Sequence, residues 1–161
     1  MTSHTTERDV GGDHLHLVHV LDATRPRVFR HLVEPDLVAR WVGPHSARVP
    51  VEQVVLEPFP GGRWEFVAVD VATSTAYPVS ARVAEIDPPR LLVCHELDAD
   101  TDDPVQSALN LRIELFEDGD ARTRIEVRQG PFLSGTTMAE DSAEVWVQSL
   151  EKLDALLEQT A

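Results

Sequence analysis

Trp146-Val147-Gln148-Ser149-Leu150-Glu151-Lys152-Leu153 is the stretch on which the fold turns. Trp146, Leu150, Leu153 and Leu157 fall at i, i+4, i+7 and i+11, a single apolar stripe on a helix that reads from 136 to 158. Ala139 and Ala143 extend the stripe with side chains small enough to let the helix lie close to a sheet. A helix with one apolar stripe needs another layer to bury it. Working back along the chain, that layer is visible as strands. Thr123, Ile125 and Val127 alternate with Arg124, Glu126 and Arg128, and Leu109, Leu111, Ile113 and Leu115 alternate with Asn110, Arg112 and Glu114. Such alternation marks half-buried strands with one polar face, and Glu117-Asp118-Gly119-Asp120 supplies a hairpin turn between them. Further β-rich runs at 49–56, 62–69, 77–86 and 91–97 are separated by Pro, Gly, Asp and Ser.

The first strand reads over 15–21 and is followed by a helix over 23–33. Thr24 is placed to cap that helix, and Pro26 suits its first turn, where a missing N–H has no helical partner. Val28, Phe29, Leu32 and Val33 give it a buried face; Pro35 ends it, and a short second helix follows over 36–41 until Gly43-Pro44. The expectation is an α+β domain with two short helices after strand one, a sheet of about six to seven strands and a long C-terminal helix.

The length of 161 residues suits one domain, read here as 14–161, with residues 1–13 a polar, disordered tail containing Gly11-Gly12. Asp and Glu number 28 against 14 Lys and Arg, a formal charge of −14. Phosphate backbones and anionic membrane surfaces should repel such a chain, so neither nucleic acid nor membrane is an expected partner. Cys94 is the only cysteine, which excludes an intrachain disulfide and fits a reducing, cytoplasmic location. No run is apolar and long enough to span a membrane, and no secretory h-region opens the chain.

Several short motifs recur in a fixed order: Ala23-Thr24-Arg25-Pro26-Arg27-Val28-Phe29, Pro35-Asp36-Leu37, Arg40-Trp41-Val42-Gly43-Pro44, Pro60-Gly61-Gly62-Arg63-Trp64-Glu65-Phe66, Glu85-Ile86-Asp87-Pro88-Pro89-Arg90-Leu91-Leu92 and the Trp146 helix. Together they resemble the START-like (SRPBCC, helix-grip) superfamily, in the branch named after the activator of the heat-shock-protein-90 ATPase. The resemblance implies a curved antiparallel sheet wrapped around the C-terminal helix, with a hydrophobic cavity between the two. Pattern alone also permits a fully packed core. Two departures from relatives stand out. Ser80 occupies a place usually held by Gly, and Trp41-Val42 replaces two consecutive tryptophans.

The candidate lining is Trp41, Trp64, Phe66 and Tyr77 together with His95, Phe132, Trp146 and Leu150. Trp64 and Phe66 share a strand face, and so do Leu91, Val93 and His95. His95 stands where relatives carry an aromatic; there it could bind a ligand, act as acid or base, or be a core histidine satisfied by a neighbour. Cys94 then lies on the opposite face, which excludes a Cys–His catalytic pair. His14 and His16 share a face but His19 points the other way, a poor metal site, and no metal or cofactor is expected. His45, in the loop after Gly43-Pro44, is a candidate for the cavity entrance. Gly61-Gly62 is not a phosphate loop, since no Lys-Ser/Thr follows and it opens a strand; it reads as a tight turn needing positive φ.

Three functions are compatible with these residues. The first is a binding protein for a small hydrophobic, lipid-like molecule. The second is a cyclase- or dehydratase-type enzyme using His95 with Glu65 or Glu96, although alternation turns both carboxylates outward. The third is a protein-interaction module. In the named activators this domain accompanies a further N-terminal domain, and about 13 residues precede the first strand here, so direct chaperone stimulation is not expected. Family habit allows a homodimer.

Overall fold

A computed structural model of the protein describes residues 5–96 and 110–159. In chain order the elements are β1 (Glu7–Val10), β2 (Leu15–Leu21), α1 (Arg25–Val33), α2 (Pro35–Val38), β3 (Ala47–Arg48), a 3-10 turn (Val51–Gln53), β4 (Val55–Leu56), β5 (Arg63–Asp70), β6 (Ala76–Asp87), β7 (Leu91–Glu96), β8 (Asn110–Glu117), β9 (Thr123–Gly130) and α3 (Met138–Gln159). Among the described residues the strands form a single antiparallel sheet of nine, ordered β1-β2-β9-β8-β7-β6-β5-β3, with β4 also paired to β5. The sheet curves around α3, a helix-grip arrangement.

The two strands above the expected number are short or polar. Glu7–Val10 pairs with β2 from Glu7 opposite Val18 to Val10 opposite Leu15, where a tail was expected. Its side chains are mostly exposed, so backbone hydrogen bonds hold it and no apolar alternation announces it. The run 49–56, expected as one strand, breaks into the 3-10 turn and the two-residue β4. Pro50 caps that turn at φ −64 and brings no ladder donor. The second helix stops at Val38, and the chain continues to Trp41 through tight turns, Arg40 N–H to Leu37 O and Trp41 N–H to Val38 O. Leu97, Leu109 and residues 1–4 lie outside the described residues.

Helix α3 buries Ala139, Ala143, Leu150, Leu153 and Leu157 against the sheet, as its stripe requires. One buried polar link fixes its register. His19 of β2, 1% exposed, bonds through Nε2 to Asp154 Oδ2 at 2.8 Å, and its Nδ1 lies 2.9 Å from the Thr6 hydroxyl oxygen. A buried pair of this kind costs little only when both partners are satisfied. His16 faces the other way and meets Glu126 at 2.9 Å, so the N-terminal histidines do not converge.

Helix α1 illustrates how side chains complete a helix end. Thr24 sits at the N-cap but its hydroxyl makes no capping bond. At the other end the carbonyls of His31 and Leu32, which have no intrahelical partner, accept from the indole N–H groups of Trp41 at 2.8 Å and Trp64 at 3.0 Å. Among the described residues, no helix is long and apolar enough to cross a membrane.

The turn before β5 uses its two glycines differently. Gly61 has φ +84 and open space around it, whereas a Cβ on Gly62 would lie 2.2 Å from the Glu57 carbonyl oxygen and 2.9 Å from that of Phe59. Positive φ therefore explains the first, and lack of room explains the second. Gly62→Ala should lose on the order of 3 kcal/mol through forced backbone movement, and Gly61→Ala about 1 kcal/mol through φ strain. Urea unfolding of both variants checks this; equal losses would contradict the packing argument.

Candidate ligand cavity

A cavity of about 430 Å³ lies between the inner face of β5–β6 and α3. Its strand wall consists of Trp64, Phe66 and Ala68 on β5, Tyr77 and Val79 on β6, and Leu111 on β8. The opposite wall is Ser142, Val145, Trp146 and Ser149 of α3. The segment from Val42 to Ala47 closes one side. Tyr77 is 57% exposed and Val145 37%, so the cavity opens beside them.

Alternation on β5 sends every second side chain inward, which brings Trp64, Phe66 and Ala68 to one surface. Trp64 and Phe66 meet edge to face, ring centroids 5.5 Å apart. The 42–47 segment is pinned to the helix by polar contacts. Gln148 Oε1 accepts from the His45 backbone N–H at 2.9 Å, and the Ser149 hydroxyl lies 3.1 Å from the Gly43 carbonyl oxygen. Lys152 donates to the carbonyls of Val42 and Pro44, both at 3.3 Å, and burial holds its ammonium below the usual lysine range. His45 itself is exposed, between two lining residues, Pro44 and Ser46.

Of the side chains expected to line the cavity, Trp64, Phe66, Tyr77 and Trp146 are on its wall. Trp41 is fully buried behind it, with its ring centroid 6.3 Å from that of Trp146. Phe132 and Leu150 are likewise core side chains off the wall.

His95 requires a correction. The ladder sets Leu92 opposite Ile113, Cys94 opposite both Leu111 and Val83, and Glu96 opposite Ala81. Directly opposed residues share a face, so Leu92, Cys94 and Glu96 point inward. His95 points outward and bonds Asn110 through Nδ1. Leu91-Leu92-Val93-Cys94 is apolar at every position, so the sequence carries no period-two signal there, and only the neighbours' register decides the face. Glu96, expected to face outward, lines the cavity, while Glu65 does face out and accepts from Arg82 at 3.1 Å. The acid–base pair of His95 and Glu96 is therefore split across the sheet.

The lack of alternation on β7 also hid the polar centre of the cavity. Gln129 of β9, 8% exposed, accepts through Oε1 from the Ser142 hydroxyl at 2.8 Å and from the Trp146 indole at 3.1 Å. These two donors identify which end of the amide is oxygen, and its Nε2 then donates to Glu96 Oε2 at 3.4 Å. Burial pushes the Glu96 carboxyl up, opposed by that amide. Burial, aided by the nearby Glu96, pushes the Cys94 thiol up to about 12, so it stays a thiol at neutral pH. Gln129 could have been suspected from sequence, as the one amide in an inward position of the β9 alternation.

The family model of the activator of Hsp90 ATPase homolog 1-like proteins matches residues 22–158. The chain belongs to this family. No curated protein matches the chain. Among solved structures, a protein from Rhodobacter sphaeroides is similar at 17% identity and TM-score 0.77, covering 97% of this chain and 99% of that one. An AHSA1 protein from Silicibacter pomeroyi is similar at 22% identity and TM-score 0.72, covering 92% and 99%. CalU16 from Micromonospora echinospora is similar at 18% identity and TM-score 0.62, covering 92% and 83%. At these identities the likeness is one of fold, the helix-grip fold.

Glu96 gives the cavity a pH signature. Its carboxyl is raised above 4.5 in the folded state, so the fold favours the proton. The contribution to stability is complete below the unfolded value and is lost as pH rises through the folded one. Glu96→Gln cannot ionise. Its melting temperature should exceed that of the parent at about pH 7, and the gap should close near pH 4. Thermal unfolding followed across pH checks this; a gap that does not change with pH would refute it.

Proposed function

We propose that this protein holds a small, largely apolar molecule between β5–β6 and α3. One observation carries the reading: the cavity of about 430 Å³, walled by Trp64, Phe66, Val79, Leu111 and Trp146. Its size falls in the usual range for small-molecule sites, roughly 300–1,000 Å³, and such sites combine apolar walls with a few convergent polar groups. Gln129 and Glu96 supply that polar end. Rings that meet edge to face at 5.5 Å are held by their neighbours, so little ordering is left for the ligand to drive.

Native mass spectrometry of the purified protein, with a thermal-shift panel of small apolar compounds, tests the reading. The expected result is a one-to-one adduct or a rise in melting temperature with at least one chemical class. Val79 is partly buried on the cavity wall, and Val79→Trp should fill the space, abolish the shift and leave the unliganded protein folded. The proposal fails if no compound shifts the parent, or if the filled variant binds as well as the parent.

A further inference from the structure

We propose that the ligand of this cavity carries a cationic head, a protonated amine on an apolar body, and that Glu96 receives it. This deepens the binding reading above and rests on it. The first ground is the charge of the wall. Its ionisable side chains include the carboxyls of Asp70 and Glu96, and among the described residues no Lys, Arg or His lines it. Lys152 is close by in the fold, but its ammonium is engaged by the carbonyls of Val42 and Pro44. A carboxylate or phosphate head would find no counter-ion here and would meet like charge.

The second ground is the hydrogen-bond inventory at the polar end. Gln129 Oε1 already accepts from both Ser142 and Trp146, so it has little left to offer a donor. Its Nε2 faces Glu96 at 3.4 Å, a long contact, and this is the only side-chain hydrogen bond to Glu96 among the described residues. An ionised carboxylate has about four acceptor positions. Glu96 is therefore the group with free accepting capacity, and an ammonium supplies three donors to fill it. A carboxylate partly withdrawn from water with one long amide contact is incompletely compensated, and an ammonium beside it offsets that cost.

The third ground is the aromatic wall. Trp64, Phe66 and Trp146 line the same space, and aromatic rings, indoles above all, attract desolvated cations. Asp70 adds negative charge, although its Oδ1 already accepts from the backbone N–H groups of Ala72 and Thr73. The overall charge of −14 raises the local concentration of cations around the opening.

Three chain-matched probes test this: decylamine, decanol and decanoate, titrated against the intact protein by isothermal calorimetry at high salt, which screens the general surface charge. Decylamine should bind at least about tenfold more tightly than decanoate, as a charge-assisted hydrogen bond implies. In Glu96→Gln the preference of amine over carboxylate should collapse, with decanol titrated alongside as the uncharged reference. Equal binding of amine and carboxylate, or a preference that survives Glu96→Gln, overturns the cationic assignment and leaves the binding reading standing. If none of the three probes binds, the binding reading falls and this inference falls with it.

Discussion

The structure depends on a mismatch of areas. A nine-stranded sheet presents an inner apolar surface whose strands lie about 4.8 Å apart. The 22-residue α3 is about 33 Å long and about 10 Å across. It cannot cover that surface alone. It lies over β2 and its neighbours, where Leu17, Leu21, Ile125 and Val127 are fully buried. The β5–β6 side is left to other means. The side chains of α1, α2 and the turn after them fill part of it, with Val28, Leu32, Val38 and Trp41 all at 0% exposure. What remains uncovered, between Trp64, Val79 and Trp146, is the cavity.

Two tryptophans connect these parts. The indole N–H groups of Trp41 and Trp64 satisfy adjacent carbonyls at the end of α1. They thereby tie the short helices both to the chain that follows and to β5. The same bond orients the Trp64 ring, whose other side forms cavity wall. Trp146 plays a parallel part on α3: its ring packs beside Trp41 while its N–H is held by Gln129. The two tryptophans of the cavity wall thus have their polar atoms already committed. That is how an aromatic surface stays open without collapsing into the space beside it.

Much of the fold was legible because it obeys simple periods. The α3 stripe, the β8–β9 alternation and the exact span of β2 could be read directly, since each buries one face only. The strands that were missed obey no such period. β1 is polar and held through its backbone, and β3 has two residues, while the run read over 49–56 is a strand only in the two-residue β4. The site was less legible for a related reason. On β7 the run Leu91-Leu92-Val93-Cys94 is apolar throughout, so the face of His95 and Glu96 was undetermined until register with β6 and β8 was known. Hydrogen bonds between distant elements, such as Gln129 with Ser142 and Trp146, leave no local pattern at all.

Glu96 is the position where local economy and global fold disagree. An inward site on a central strand of this sheet calls for an apolar residue, as Leu92 and Cys94 on the same face show. A carboxyl there is pushed away from its ionised form by burial and receives only one long amide contact among the described residues. Proteins tolerate such a breach chiefly where a site needs the group. The surrounding polar atoms support that reading, because Ser142, Trp146 and Gln129 are arranged to satisfy one another and leave the carboxyl with accepting capacity to spare. A leucine at 96 would give a better-packed sheet. Among the described residues it would also remove the one ionisable group at the polar end formed with Gln129, and with it the head-group selectivity proposed above.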